Sequence, residues 1–417
     1  MSARTLRRSV ATLSVATLSG VGLLGMLPTP LAVAGTGTPG TTTDSSATGS
    51  ASVEPQRVDR SSGRLLRRLT PAETTLARLT RAQVVGQVFM VGTPATTASA
   101  ATRAQIGRYH VGNVMLTGRS YGGTSAPARV AATLQSATSP AATGGVRLLV
   151  STDQEGGEVQ VLRGPGLSTI PSALAQGATR PARLRAQAGR WGTELRRAGV
   201  NMNLGPVLDT VTGPAGASVN PPIGVFDREY GYLPDDVARH ATAFARGMAD
   251  AGVVTSAKHF PGLGRVRANP DVSAGVTDPV TGPHGASLAP FRTAIEAGVP
   301  AVIMSTAYYP RLDPAHPAAF SRTVVHGLLR GHLGFRGGVV SDDLGIARQV
   351  ARWPAGERAV RFLRAGGDLV LTVDPATLPA MHQAVLARTR TSPAFRARVE
   401  HAALRVLTLK QARGLLR

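Results

Sequence analysis

Short apolar runs alternate with helix-like segments along most of this chain. The runs are Val84–Val91, Gly112–Leu116, Val146–Thr152, Val200–Leu208, Val253–Ala257, Pro300–Met304, Gly338–Val340 and Asp368–Thr372. They are bounded by Gly, Pro or polar clusters, the pattern of buried strands. The segments between them, Ala126–Ala137, Pro181–Arg197, Asp235–Ala251, Leu288–Ala297, Thr323–Leu333, Ala355–Arg364 and Thr377–Ala387, read as helices. Strands alternating with helices in this number predict an α/β fold, a (β/α)8 TIM-type barrel forming a single domain over residues 76–417. A doubly wound open sheet is the alternative. No internal repeat is evident.

The chain ahead of the barrel is different in kind. Residues 35–75 open with a stretch of Gly, Thr, Ser and Ala that cannot bury a core, and the segment is expected to be a disordered tether. Residues 1–34 read as an export signal. Arg4, Arg7 and Arg8 precede an apolar stretch from Val10 to Leu27, and Ala32-Val33-Ala34 offers a small-x-small cleavage site. An uncleaved anchor is the competing reading of the same stretch. The sequence has no cysteine, which excludes disulfides, thiolate metal sites and a lipobox anchor.

Polar residues gather where the apolar runs stop. The third run ends in Asp153-Gln154-Glu155-Gly156-Gly157, and the fourth leads through Asn203 to Asp209. The fifth ends in Lys258-His259 and the seventh in Ser341-Asp342-Asp343-Leu344. A barrel collects all these ends on one face, around one pocket. Lys258 stands out because the chain has only two lysines, the other being Lys410, while arginine supplies the remaining positive charge. A compact ammonium is not interchangeable with a guanidinium, so a lysine kept beside a histidine at a strand end marks candidate chemistry.

Composition narrows the partners. The net charge of +22 fits attraction to an anionic cell envelope. The arginines are scattered through helical segments and are not interleaved with aromatics, which argues against nucleic acid. No metal-ligand spacing or phosphate loop stands out, so no metal and no cofactor are expected.

Together, these motifs resemble glycoside hydrolase family 3, in particular its single-domain bacterial β-N-acetylglucosaminidase branch. Ile223-Gly224 through Arg228-Glu229-Tyr230-Gly231, Lys258–Gly264, and the approach Phe320-Ser321 to Phe335 carry the resemblance along with the strand-end motifs, over roughly Leu76 to Leu407. The resemblance implies a retaining glycosidase, which needs a nucleophilic carboxylate and a proton donor. Asp342 matches the family nucleophile; a helix cap is the bland reading of the same residue. Asp343 is expected to make structural hydrogen bonds. Asp153, Arg228, Lys258 and His259 match the substrate-binding residues. That branch usually carries Asp-Ser-His in the loop after the Lys-His motif. Aligned on Lys258, this chain reads Ala268-Asn269-Pro270-Asp271, which puts Asp271 at the proton-shuttling His and Asn269 at its supporting Asp. Three readings stay open: Asp271 is itself the acid/base, a His comes from elsewhere, or the chain is a weakened, sugar-binding relative. Arginines that often follow Glu-Gly-Gly are absent, and Arg163 is the candidate substitute.

The function expected is therefore an exported exo-β-N-acetylglucosaminidase, secreted or held at the envelope. It would act on GlcNAc-containing oligosaccharides or muropeptides through a glycosyl–Asp342 intermediate. A β-glucosidase or β-xylosidase of the same family and a non-catalytic peptidoglycan- or chitooligosaccharide-binding protein are the rivals. A carboxylate at position 271 disfavours transfer to phosphate, because like charges repel.

Overall fold

The structure, a computed structural model, describes residues 68–416. The segment read as an export signal and most of the segment read as a tether lie outside the described residues. The domain starts earlier than the sequence pattern implied. Thr70, inside the segment assigned to the tether, caps helix α1 (Pro71–Arg78): its hydroxyl accepts from the Glu73 amide while the Glu73 carboxylate accepts from the Thr70 amide. This reciprocal box satisfies amides that the first helical turn would leave unpaired.

Eight parallel strands form the barrel: β1 (Phe89–Pro94), β2 (Asn113–Thr117), β3 (Leu149–Thr152), β4 (Met202–Asn203), β5 (Val254–Phe260), β6 (Ala301–Met304), β7 (Gly338–Ser341) and β8 (Val370–Thr372). They follow one another in sequence around the sheet, with β1 also paired to β8. A bridge between Val340 and Leu369 closes the seam between β7 and β8. The first strand departs from its expected position. Val84–Gln87 belongs to helix α2 (Arg81–Gln87), and the strand begins at Phe89. A second capping box, Thr80 with Gln83, nucleates that helix, and a short apolar run cannot by itself tell a buried helix from a strand.

Two apolar layers hold the barrel. Inside it, Met90, Met115, Leu149, Met202, Leu204, Val254, Ile303, Val340 and Leu371 pack together. Val406, Leu409 and Leu415, from the C-terminal helix (Pro393–Gln411) and its end, join this cluster. The interior is therefore filled, not a channel. Outside the strands, the helices Pro181–Arg197 and Pro234–Asp250 pack closely, because a Cβ on Gly247 would meet the Arg185 carbonyl oxygen at 2.2 Å. Arginine also serves the interior. Asp368, fully buried at the start of the seam, pairs with Arg330 and Arg398 at 2.5 Å and Arg405 at 3.2 Å, and accepts from the Val339 amide.

Lys410, the second lysine, is fully buried and donates to Gln87 Oε1 and the Gly112 carbonyl, both at 2.7 Å. Both acceptors are neutral, and burial lowers its pKa well below the usual lysine value. Between that depressed value and the unfolded value of about 10.4, the unfolded chain binds more protons, so stability rises with pH across this window. Urea denaturation at pH steps between neutrality and about 10 should show this rise in the natural protein, and Lys410→Met should lose it.

Candidate active site

The C-terminal ends of the strands open into a pocket of about 430 Å³. Met115, Leu204, Ile303 and Leu371, which belong to the barrel's packed interior, also line it and give it a closed base. Above them stand Asp153, Arg228, Lys258, His259, Asn269, Asp271 and Asp342. Seven of the eight residues singled out from the sequence thus meet in one cavity. Arg163 does not line it; its guanidinium is committed to the carbonyls of Gly157 and Gln160, at 2.5 and 3.2 Å.

A buried ionic network forms one wall. Lys258 Nζ donates to Asp153 Oδ1 at 2.6 Å and lies 2.6 Å from Glu155 Oε1. Arg228 grips the same Glu155 through two guanidinium nitrogens, at 2.8 and 2.9 Å, and donates to the Pro222 carbonyl at 2.7 Å. Burial by itself would raise the Glu155 carboxyl, but the charges of Arg228 and Lys258 outweigh it and hold the group at about 2. Burial likewise works against both cations, and the carboxylates reverse it: Glu155 holds Arg228 charged, while Asp153 and Glu155 hold Lys258 charged. The short hairpin after β3 delivers Glu155. Its Gly156 has φ +117°, and a Cβ there would strike the Pro171 carbonyl at 2.1 Å, so glycine is required.

His259 is set by Asp209, 50 residues earlier in the chain. Its Nδ1 donates to Asp209 Oδ2 at 2.7 Å, which fixes the proton on Nδ1. The other Asp209 oxygen accepts from the amides of His259 and Leu263, at 3.3 and 2.7 Å. Asn220 ties the Arg228 loop to the loop after β5. Its Oδ1 accepts from the Ile223 and Gly224 amides, and its Nδ2 donates to the Leu263 and Val266 carbonyls. Glu155, Asp209 and Asn220 had no role assigned from the sequence. Glu155 and Asp209 sit inside motifs noted there, but their partners are too distant in sequence to pair by inspection.

The two candidate reacting carboxylates come from different strand ends. Asp342 directly follows β7; its amide donates to the Met304 carbonyl at 3.2 Å, and its Oδ1 accepts from the Asp343 amide at 3.0 Å. The structural work falls to Asp343, whose carboxylate accepts from the amides of Gly345, Ile346, Ala347 and Val373. Asp271 lies on the loop after β5. Crowding at the pocket, and next the Asp342 charge, push its carboxyl up to about 6. Asp271 is solvent-exposed, so repulsion from Asp342, more than burial, accounts for the rise. Asn269 does not hold the Asp271 side chain as a supporting carboxylate would. Its Oδ1 accepts from the Asp271 backbone amide at 2.9 Å and shapes the turn.

This arrangement has known relatives. The model of the glycosyl hydrolase family 3 N-terminal domain matches residues 80–409. A β-N-acetylhexosaminidase from Beutenbergia cavernae superposes with a TM-score of 0.80 at 53% identity, covering 80% of this chain and 99% of that one. A family 3 β-N-acetylglucosaminidase from a Paenibacillus species gives a TM-score of 0.74 at 37% identity, over 81% of this chain and 63% of its own. A β-hexosaminidase of Xanthomonas oryzae pv. oryzae is 33% identical over 315 residues, 74% of this chain and 90% of its own length.

Glu155 contributes stability that is present above its unfolded value of about 4.3 and is lost as pH falls through about 2. Glu155→Gln should therefore cost about 3 kcal/mol at neutral pH, in line with removing one partner of a buried pair. The gap between variant and natural protein in urea denaturation should narrow as the pH is taken below about 4.

Proposed function

The chain belongs to glycosyl hydrolase family 3, and on that premise we propose that it is an exported, retaining exo-β-N-acetylglucosaminidase acting on cell-wall fragments. Its relatives support a glycoside hydrolase of the β-N-acetylhexosaminidase type. The observation that carries the mechanism is the meeting of Asp342 and Asp271 in one pocket, together with the fixed ionic network.

A terminal β-linked GlcNAc enters the pocket, whose base is closed by barrel side chains. The Asp153–Lys258 pair, Arg228 and His259 offer the hydrogen-bonding groups for its hydroxyls. Asp342 attacks the anomeric carbon as the protonated Asp271 carboxyl gives its proton to the departing glycosidic oxygen. The C–O bond to the aglycone breaks and an ester to Asp342 forms. Asp271, now ionised, then takes a proton from water, which attacks the same carbon and releases Asp342. Two inversions give net retention. A donor must be protonated and a base ionised within one cycle, and a carboxyl raised to about 6 serves both steps. Export and envelope association rest on the N-terminal sequence and the +22 charge.

Hydrolysis of nitrophenyl β-GlcNAc should exceed that of the corresponding β-glucoside and β-xyloside. Asp342→Ala should abolish turnover, and Asp271→Ala should lower it by about 10²–10⁴-fold, with azide restoring part of the loss. The kcat/KM of the natural protein should fall as pH rises through about 6, where the donor loses its proton, and Asp271→Ala should lack that limb. An inert natural protein that still binds GlcNAc oligomers would mark a sugar-binding relative. Faster turnover in phosphate than in a non-nucleophilic buffer would mark a phosphorylase.

A further inference from the structure

The loop that carries Asp271 leaves β5 after Phe260 and returns near Val276. Its own bonds do not fix where Asp271 stands relative to Asp342. Asn269 accepts from the amides of Asp271, Val272 and Ser273, which shapes a turn and nothing beyond it. What places the turn is the segment after β7. The Arg348 amide donates to the Asp271 carbonyl at 2.9 Å, and the Gln349 amide donates to the Pro270 carbonyl at 3.0 Å. The Gln349 side chain then bonds both backbone groups of Val276, with Oε1 accepting from its amide at 2.9 Å and Nε2 donating to its carbonyl at 3.0 Å; that carbonyl also accepts from the Tyr308 amide at 2.9 Å. Gln349 is buried, at 3% exposure, and its amide pairs with Val276 as a neighbouring strand would.

The segment that makes this clasp is itself fixed. The Asp343 carboxylate gathers the amides of Gly345, Ile346 and Ala347, immediately ahead of Arg348. Asp343 is covalently next to Asp342. A short, hydrogen-bonded stretch therefore runs from the nucleophile to the clasp on the loop of the second carboxyl.

We infer that Gln349 is a positioning residue for the acid/base. It holds the Asp271 loop against the exit of the nucleophile strand, so that the two carboxyls are presented to the glycosidic bond from one rigid unit. This rests on the reading of Asp271 as the acid/base. Gln349 touches neither substrate nor reacting atoms; it acts through the loop alone. Proton donation is sensitive to misplacement, whereas nucleophilic attack by Asp342 does not depend on the clasp.

The test compares the mature protein with Gln349→Met, Gln349→Glu and Asp271→Ala, on phenyl and dinitrophenyl β-GlcNAc. The phenyl group needs a proton to depart and the dinitrophenyl group does not. Gln349→Met should lower kcat/KM for the phenyl substrate by about tenfold to a hundredfold and leave the dinitrophenyl value near that of the natural protein. Gln349→Glu keeps the acceptor for the Val276 amide and loses the donor, so it should show the same selectivity more weakly, and it carries the test if Gln349→Met does not fold. Equal losses on both substrates, or selectivity in Asp271→Ala with none in either Gln349 variant, would overturn the inference. Absence of selectivity in Asp271→Ala itself would instead overturn the acid/base reading beneath it. Hydrogen exchange on the natural protein gives a readout independent of activity: the amides of Val276, Arg348 and Gln349 should be protected, and free-loop exchange there would refute the clasp.

Discussion

A lysine ammonium removed from water between two carboxylates, with an arginine locked to one of them, is the constraint around which this pocket is built. Lys258, Glu155 and Arg228 cannot be buried singly, because an unpaired buried charge costs several kcal/mol. Each is tolerable only with the others in place, so the end of β3, the end of β5 and the loop after β4 must arrive together. The two cations are not equivalent. Arg228 presents a fork that matches both Glu155 oxygens, whereas Lys258 is a point charge shared between Glu155 and Asp153. Asp153 is the more open of the two carboxylates, and this leaves it able to meet a ligand while Glu155 stays internal.

The two candidate reacting carboxyls follow another rule. Asp342 and Asp271 are placed by backbone hydrogen bonds, through the Met304 carbonyl, the Asn269 turn and the Arg348–Gln349 segment. Among the described residues, no cation grips either carboxyl through an ion pair. A carboxylate clamped by a guanidinium is a poor proton donor, because its acid form is disfavoured. Asp271, held by its main chain, keeps its carboxyl oxygens available, and the Asp342 charge favours its acid form. Charge thus fixes Lys258, Glu155 and Arg228, and neutral hydrogen bonds fix Asp342 and Asp271.

Much of this was legible in the sequence. All eight strands lie within or beside the apolar runs, and the barrel topology then brought Asp153, Lys258, His259 and Asp342 to one face, as strand-end residues must be. What escaped was non-local or locally ambiguous. Val84–Gln87 is as apolar as a strand, and only the Thr80–Gln83 capping box declares it helical. Glu155 pairs with Arg228 across 73 residues and His259 with Asp209 across 50, separations at which many carboxylates compete as partners. Arg163 was sought as a sugar ligand in place of the arginines that the resemblance implies after Glu155-Gly156-Gly157, yet here, as around Asp368, a guanidinium serves to satisfy backbone carbonyls. Gln349 carried no signal at all, since an uncharged residue satisfying a remote main chain leaves no motif.

The central claim is that Asp342 forms a covalent bond to the sugar. Its most direct test is to react the mature protein with a fluorinated β-GlcNAc donor bearing an activated leaving group, quench it, and locate any adduct by peptide mass mapping. The account predicts one added sugar, carried on Asp342 in the natural protein and absent from Asp342→Ala. Turnover without any adduct on Asp342, or an adduct on a different carboxylate, would contradict it.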